Sequence, residues 1–133
     1  MNRVSRRPLS PQHTLILETL RAAKRPITAY ELIDALRPGK PYAPPTIYRA
    51  LNRLMADGFA HRLETLNAYI ACNHGHASDN VPIFEICDVC GSAVEFIDGE
   101  IERYLLRRTS GHGFTASRTS IEIRGTCDRC RDQ

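Results

Sequence analysis

Two short cysteine pairs, Cys87-x-x-Cys90 and Cys127-x-x-Cys130, constrain this chain more than any other feature, and 36 residues separate them. Two thiolates at that spacing converge on one metal ion, and four of them make a closed tetrahedral zinc site with Zn–S about 2.3 Å. The interval is longer than in a zinc-ribbon knuckle pair and leaves room for a strand and a helix. A metal held there would staple the end of a C-terminal domain back to its start. A closed site of this kind is structural and leaves no open position for chemistry. The rival use of Cys-x-x-Cys is a thioredoxin-like redox pair, against which two pairs and the missing βαβ context argue.

The rest of the chain is consistent with a reduced, intracellular protein. Its 133 residues are 42% hydrophobic and 25% charged, a globular composition that fits one domain or two small ones. No apolar run approaches the roughly 20 residues that span a bilayer. The opening "MNRVSRRPLSPQ" is basic and is followed by no signal-type apolar core. The expected location is the cytoplasm, where paired cysteines serve as metal ligands more often than as disulfides. The net charge of +3 is unevenly spread: residues 1–62 hold 11 basic and 4 acidic side chains, residues 63–133 hold 7 and 11. A basic front half suits a polyanion, nucleic acid being the commonest, although a merely solvated basic surface reads the same way.

Local signals divide that front half into three helices and a hairpin. "PQHTLILETLRAA" places Leu15, Ile16, Leu20 and Ala23 at helical spacing, with Ser10 as cap and Pro11 in the first turn. Thr28 caps "TAYELIDALR", and Glu31 completes a capping box; Leu32, Ile33 and Leu36 are its apolar face. "PGKPYAPP" reads as a loop. A third helix, "PTIYRALNRLMADG", buries Ile47, Ala50, Leu51 and Leu54 and stops at Gly58. "FAHRLE" and "NAYIAC" are strands around a turn at Thr65-Leu66-Asn67. The predicted fold is α+β: a winged helix-turn-helix over residues 1–73, a hinge over 74–80 and a small α/β dimerisation domain over 81–133. That second domain is expected to contain strands "IFEIC" and "AVEFI", a helix "GEIERYLLRRTSG" and a strand "SRTSIEIRGTC", with Ile101, Leu105 and Leu106 covering the sheet.

The third helix is the candidate reader of DNA. With its apolar stripe inward, Tyr48, Arg49, Asn52 and Arg53 face outward, and Thr46 stands at its start. An arginine fork matches a guanine edge in the major groove and also binds phosphate. Tyr30 on the second helix can reach a phosphate where that helix crosses the backbone. An exposed amphipathic helix with ordinary surface arginines is the bland alternative; the wing and the charge asymmetry weigh against it.

A fifth cysteine, Cys72, lies outside the complete four-cysteine set. A single cysteine near a strand end is often a small buried hydrophobe. Here the hairpin brings it toward His61, His74 and His76 follow at once, and Glu95 lies on a strand of the second domain. Cysteine, histidine and one carboxylate fill a tetrahedron around Zn²⁺. His13 and His112 have no such neighbours in sequence and are expected at the surface.

"PPTIYRALNRLMADGFAHRLETLNAYIAC", followed by "ICDVCG" and a distant "CDRC", closely resembles the ferric uptake regulator family over residues 9–131, and within it the zinc uptake regulator branch. The pairing of His61 with Cys72, and Glu95 eight residues after Cys87, carry the second part of that resemblance. Iron-sensing members have a His-His-x-His run before the first cysteine pair, where this chain has "ASDNVPIFEI". The resemblance implies dimeric, metal-sensing winged-helix repressors. It assigns Cys87, Cys90, Cys127 and Cys130 to a structural zinc, and His61, Cys72 and Glu95 to a sensory zinc. Asn80 stands where the branch has another histidine ligand, so His76 or His74 would substitute. Arg49 and Tyr30 match DNA-contacting positions. The family's "TPQR" is "SPQH" here, with His13 replacing an arginine, and the leader is shorter than usual.

The expected function is a zinc-responsive transcriptional repressor controlling zinc uptake genes, with two Zn(II) per chain. Its partners would be a palindromic operator in double-stranded DNA and a second copy of the chain, with no membrane and no small-molecule substrate. The alternatives are the same scaffold sensing Fe(II), Mn(II) or peroxide, and a small zinc hydrolase.

Overall fold

The computed structural model describes residues 8–39, 41–72 and 81–132. The chain divides into two compact units, Met1–Ser78 and Asp79–Gln133. The hinge assigned to residues 74–80 lies outside the described residues, as do His74 and His76.

The first unit contains α1 (Pro11–Ala23), α2 (Ala29–Leu36), α3 (Pro44–Ala56), β1 (Ala60–Leu63) and β2 (Ala68–Ala71). Each boundary has a local cause. Ser10 Oγ accepts from the His13 backbone N–H at the start of α1. Thr28 and Glu31 form the reciprocal capping box of α2, both bonds at 3.1 Å. Two prolines open α3 without losing a helical hydrogen bond, so the helix begins at Pro44, one residue earlier than the sequence suggests. Gly58, at φ +81°, turns the chain out of α3 toward the wing.

The three helices close over Ile16, Leu17, Leu20, Leu32, Ile47, Leu51 and Leu54, all at most 3% exposed. Burying one such side chain contributes roughly 1.5–3 kcal/mol. In α1 the expected Leu15 is 43% exposed, and Leu17 takes its place in the core. β1 and β2 pair antiparallel, Ala60 with Ala71 through Leu63 with Ala68. Ile27 adds a short third edge, exchanging backbone bonds of 3.0 and 2.8 Å with Tyr69. Glu64–Asn67 make the hairpin turn; Asn67 sits at φ +47°, and its side-chain oxygen accepts from Arg62 Nη2 at 2.7 Å.

The second unit contains β3 (Ile83–Cys87), β4 (Ala93–Phe96), α4 (Gly99–Ser110) and β5 (Ile121–Gly125). The sheet order is β4-β3-β5, with β4 antiparallel and β5 parallel to β3. The parallel pairing requires a crossover, which α4 supplies. β5 begins at Ile121, later than the expected strand from Ser117, and residues 114–118 are exposed. The sheet cover expected of α4 at a two-fold interface is not made within one chain. α4 has no buried residue: Ile101 is 40% exposed, Leu106 49%, and Leu105 is half-buried. Within one chain, the apolar positions of this helix are not satisfied.

Candidate metal centres and nucleic-acid interface

The second unit brings Cys87, Cys90, Cys127 and Cys130 together, their four sulfurs within 4.8 Å of one another. Cys90 Sγ and Cys127 Sγ are 3.9 Å apart. A regular tetrahedron with Zn–S of about 2.3 Å has S···S edges of about 3.8 Å, so the donor set fits zinc in both chemistry and spacing. β3 ends at Cys87 and its parallel neighbour β5 ends at Gly125, so each strand delivers one cysteine pair to the same end of the sheet.

Backbone and side chains prepare these thiols for a cation. The N–H groups of Val89 and Cys127 each point at Cys87 Sγ from 3.4 Å. The Cys127 N–H, then that of Cys90, lowers the Cys87 thiol to about 6. Ser92 Oγ, 3.1 Å from Cys90 Sγ, lowers that thiol as well. Cys130 is pushed up to about 12, first by its hydrogen bond with the Cys127 thiol and then by burial. Four clustered sulfurs cannot all ionise without a compensating cation; a dication removes that restriction and releases protons. Arg124 Nη2 grips Asp88 Oδ1 at 2.7 Å, and the Asp88 N–H donates to the Gly125 carbonyl at 2.8 Å, clipping one cysteine loop to the other. The sequence reading missed Ser92, Asp88 and Arg124. A hydroxyl two residues after a ligand, and an acid inside Cys-x-x-Cys, were signals that could have found them.

The wing holds the second thiol. In the β1–β2 register His61 faces Ile70, and the Cys72 N–H donates to the Phe59 carbonyl at 2.8 Å. His61 and Cys72 are thus diagonal neighbours on one face of the hairpin, and a ring nitrogen of His61 lies within 4.8 Å of Cys72 Sγ. In the second unit, Glu95 lies on β4 opposite Phe84; it is buried, whereas neighbouring Val94 is exposed.

α3 presents Tyr48, Arg49 and Asn52 to the exterior, and Thr46 is half-buried in its first turn. Tyr30 on α2 is 66% exposed. Arg53 departs from the expected outward placement. Its Nε lies 3.5 Å from Asp57 Oδ2, and its Nη2 donates to the Pro8 carbonyl at 3.3 Å. His13 is half-buried rather than a surface residue, in contact with Ser10 Oγ through Nδ1.

The Ferric uptake regulator family model matches residues 7–124. The Zinc uptake regulation protein of Escherichia coli (strain K12) is 34% identical over 123 residues, covering 92% of this chain and 72% of that protein. The crystal structure of holo XcZur is 40% identical with a TM-score of 0.87, covering 94% of this chain and 87% of that one. A zinc uptake regulator complexed with zinc and DNA is 33% identical with a TM-score of 0.89, covering 94% and 84%. The winged-helix unit and the small sheet-and-helix unit thus recur in these relatives, and the chain belongs to the Ferric uptake regulator family, within its zinc uptake regulator branch.

Proposed function

We propose that this protein is a zinc-responsive transcriptional repressor with Zn(II) as corepressor, acting in the cytoplasm on zinc uptake genes. The observation that carries this reading is the wing pair, His61 beside Cys72, standing apart from a complete four-cysteine set. Two sets of donors suit two roles: Cys87, Cys90, Cys127 and Cys130 hold a structural ion, while His61, Cys72 and Glu95, with His76 or His74, hold an exchangeable one. A thiol in the second set favours zinc over Fe²⁺ or Mn²⁺. No described helix is long and apolar enough to cross a membrane, and the relatives named above are regulators.

The winged domain, residues 1–73, reads DNA in this scheme. Asn52 faces base edges and Arg49 lies beside it within reach of phosphate, with Tyr48 and Thr46 next to them, and Tyr30 meets the backbone from α2. The domain from residue 81 onward forms the homodimer, burying the apolar positions of α4 and pairing open strand edges. A two-fold dimer then matches a palindromic operator. Metal joining donors from both domains across the hinge at 74–80 favours the DNA-competent arrangement. By linkage, operator DNA tightens the second zinc by the same factor, typically about 5–150-fold.

Cys72→Ser tests the reading. The variant should keep one tightly held zinc per chain and lose zinc-dependent operator binding. Unchanged zinc-dependent binding would remove Cys72 from the sensory set.

A further inference from the structure

The recognition helix carries an arginine stripe that ends in a buried acid. Arg49, Arg53 and Asp57 follow one another at intervals of four, stacked turn upon turn on one side of α3. Arg49 is exposed, but the Arg53 side chain is only 29% exposed and that of Asp57 5%. Arg53 spans from Asp57 Oδ2, at 3.5 Å, to the Pro8 carbonyl, at 3.3 Å.

Two stability rules oppose an acid at this position. Asp57 is the C-cap of α3, where the helix dipole presents its negative end. The pair also runs Arg before Asp, the less favourable order for residues four apart. A carboxylate buried there costs free energy that a nearby cation must offset. Arg53 is that cation. The other titratable neighbour, His13, is held below its ordinary value, first by burial and then by Arg53. A local rule broken with a dedicated compensation is where function, rather than stability, is expected to have set the residue.

We propose that Asp57 is a positioning residue for DNA binding: it holds Arg53 back against the Pro8 carbonyl, so that Arg49 meets phosphate and Arg53 does not. The inference rests on the DNA-binding reading above. Its purpose follows from the nature of phosphate contacts, which add affinity for any duplex without reading its sequence. Withholding one arginine from the reading face lowers sequence-indifferent adhesion.

The test compares zinc-loaded full-length chains on a random-sequence duplex and on a duplex that the wild type selects from a random pool, across a salt series. Asp57→Asn should steepen the slope of log affinity against log salt by about 0.9 and tighten the random duplex roughly fivefold near physiological salt. Arg49→Gln should flatten the slope by about 0.9, whereas Arg53→Gln should leave it unchanged. Arg53→Lys keeps the cation beside Asp57 and should also match the wild type; it serves if the glutamine variant unfolds by circular dichroism. A wild-type slope in Asp57→Asn, or Arg53→Gln flattening the slope as Arg49→Gln does, overturns the proposal. Wild type binding neither duplex overturns the DNA-binding reading, and this inference with it.

Discussion

The two units of this chain hold themselves together by different means. The first has a helical core in which ten apolar side chains on three helices are at most 5% exposed, Ile16 and Leu51 among them at 0%. The second has a three-stranded sheet whose helix contributes no buried side chain, and its two cysteine pairs meet at one end. One unit closes a helical core; the other leaves its helix uncovered and gathers four sulfurs at one end of its sheet, where a metal cross-link would fit. Small domains that cannot build a sufficient core recruit metals or partners, and this unit has the marks of both.

The largest effect that would break this contrast comes from the cysteines. Cys130→Ser should abolish the tightly held zinc and remove hydrogen-exchange protection from β3 and β5, while amides of α1 and α3 stay protected. Structural zinc binding is worth on the order of 10–16 kcal/mol, far above what the small sheet supplies alone. Loss of protection in both units together would show that their stabilities are not separate. Next comes Leu51→Ala. It should destabilise the first unit by about 2–5 kcal/mol, lowering its thermal midpoint by on the order of 10 °C or more, with zinc content unchanged.

The smallest effect sharpens the comparison at the α2 cap. Thr28→Ala should cost about 1 kcal/mol. The Glu31 carboxyl in the same box is held below its usual range, first by the Thr28 N–H and then by Arg25. A depressed acid stabilises the fold above its unfolded pKa, and that contribution fades as pH falls through the folded value. The stability lost in Glu31→Gln should therefore shrink as pH falls below 4.5, the ordinary Glu value, a trend that urea titrations at two pH values would reveal.

Much of the first unit was legible because its signals are local. Ser10, Thr28 with Glu31, and the turn before Asn67 act within a few residues, and each appears where its chemistry calls for it. The cysteine cluster was legible for a similar reason, since each pair prepares its own loop. Long-range facts were not. Leu15, Ile16 and Leu17 are consecutive, and periodicity could not decide which of them leaves the stripe; packing against α3 decides it. Arg53 read as a surface cation because nothing in an amphipathic pattern shows that Asp57, four residues on, is buried. Ile101 and Leu106 read as sheet cover at a two-fold interface, and apolar spacing does not say in which molecule the covered surface lies.

The parallel pairing of β3 with β5 also sets an order of events during synthesis. β3 ends at Cys87, and its partner strand starts only at Ile121. At roughly 5–20 residues per second, the ribosome needs on the order of 2–7 s to pass from the first cysteine pair to the second. In that interval α1 to β2, complete by Ala71, have already been made, while Cys87 and Cys90 lack the second cysteine pair. During that interval the nascent chain carries every element of the first unit but only half of the four-cysteine set, so no closed four-sulfur site can form before Cys130 is made.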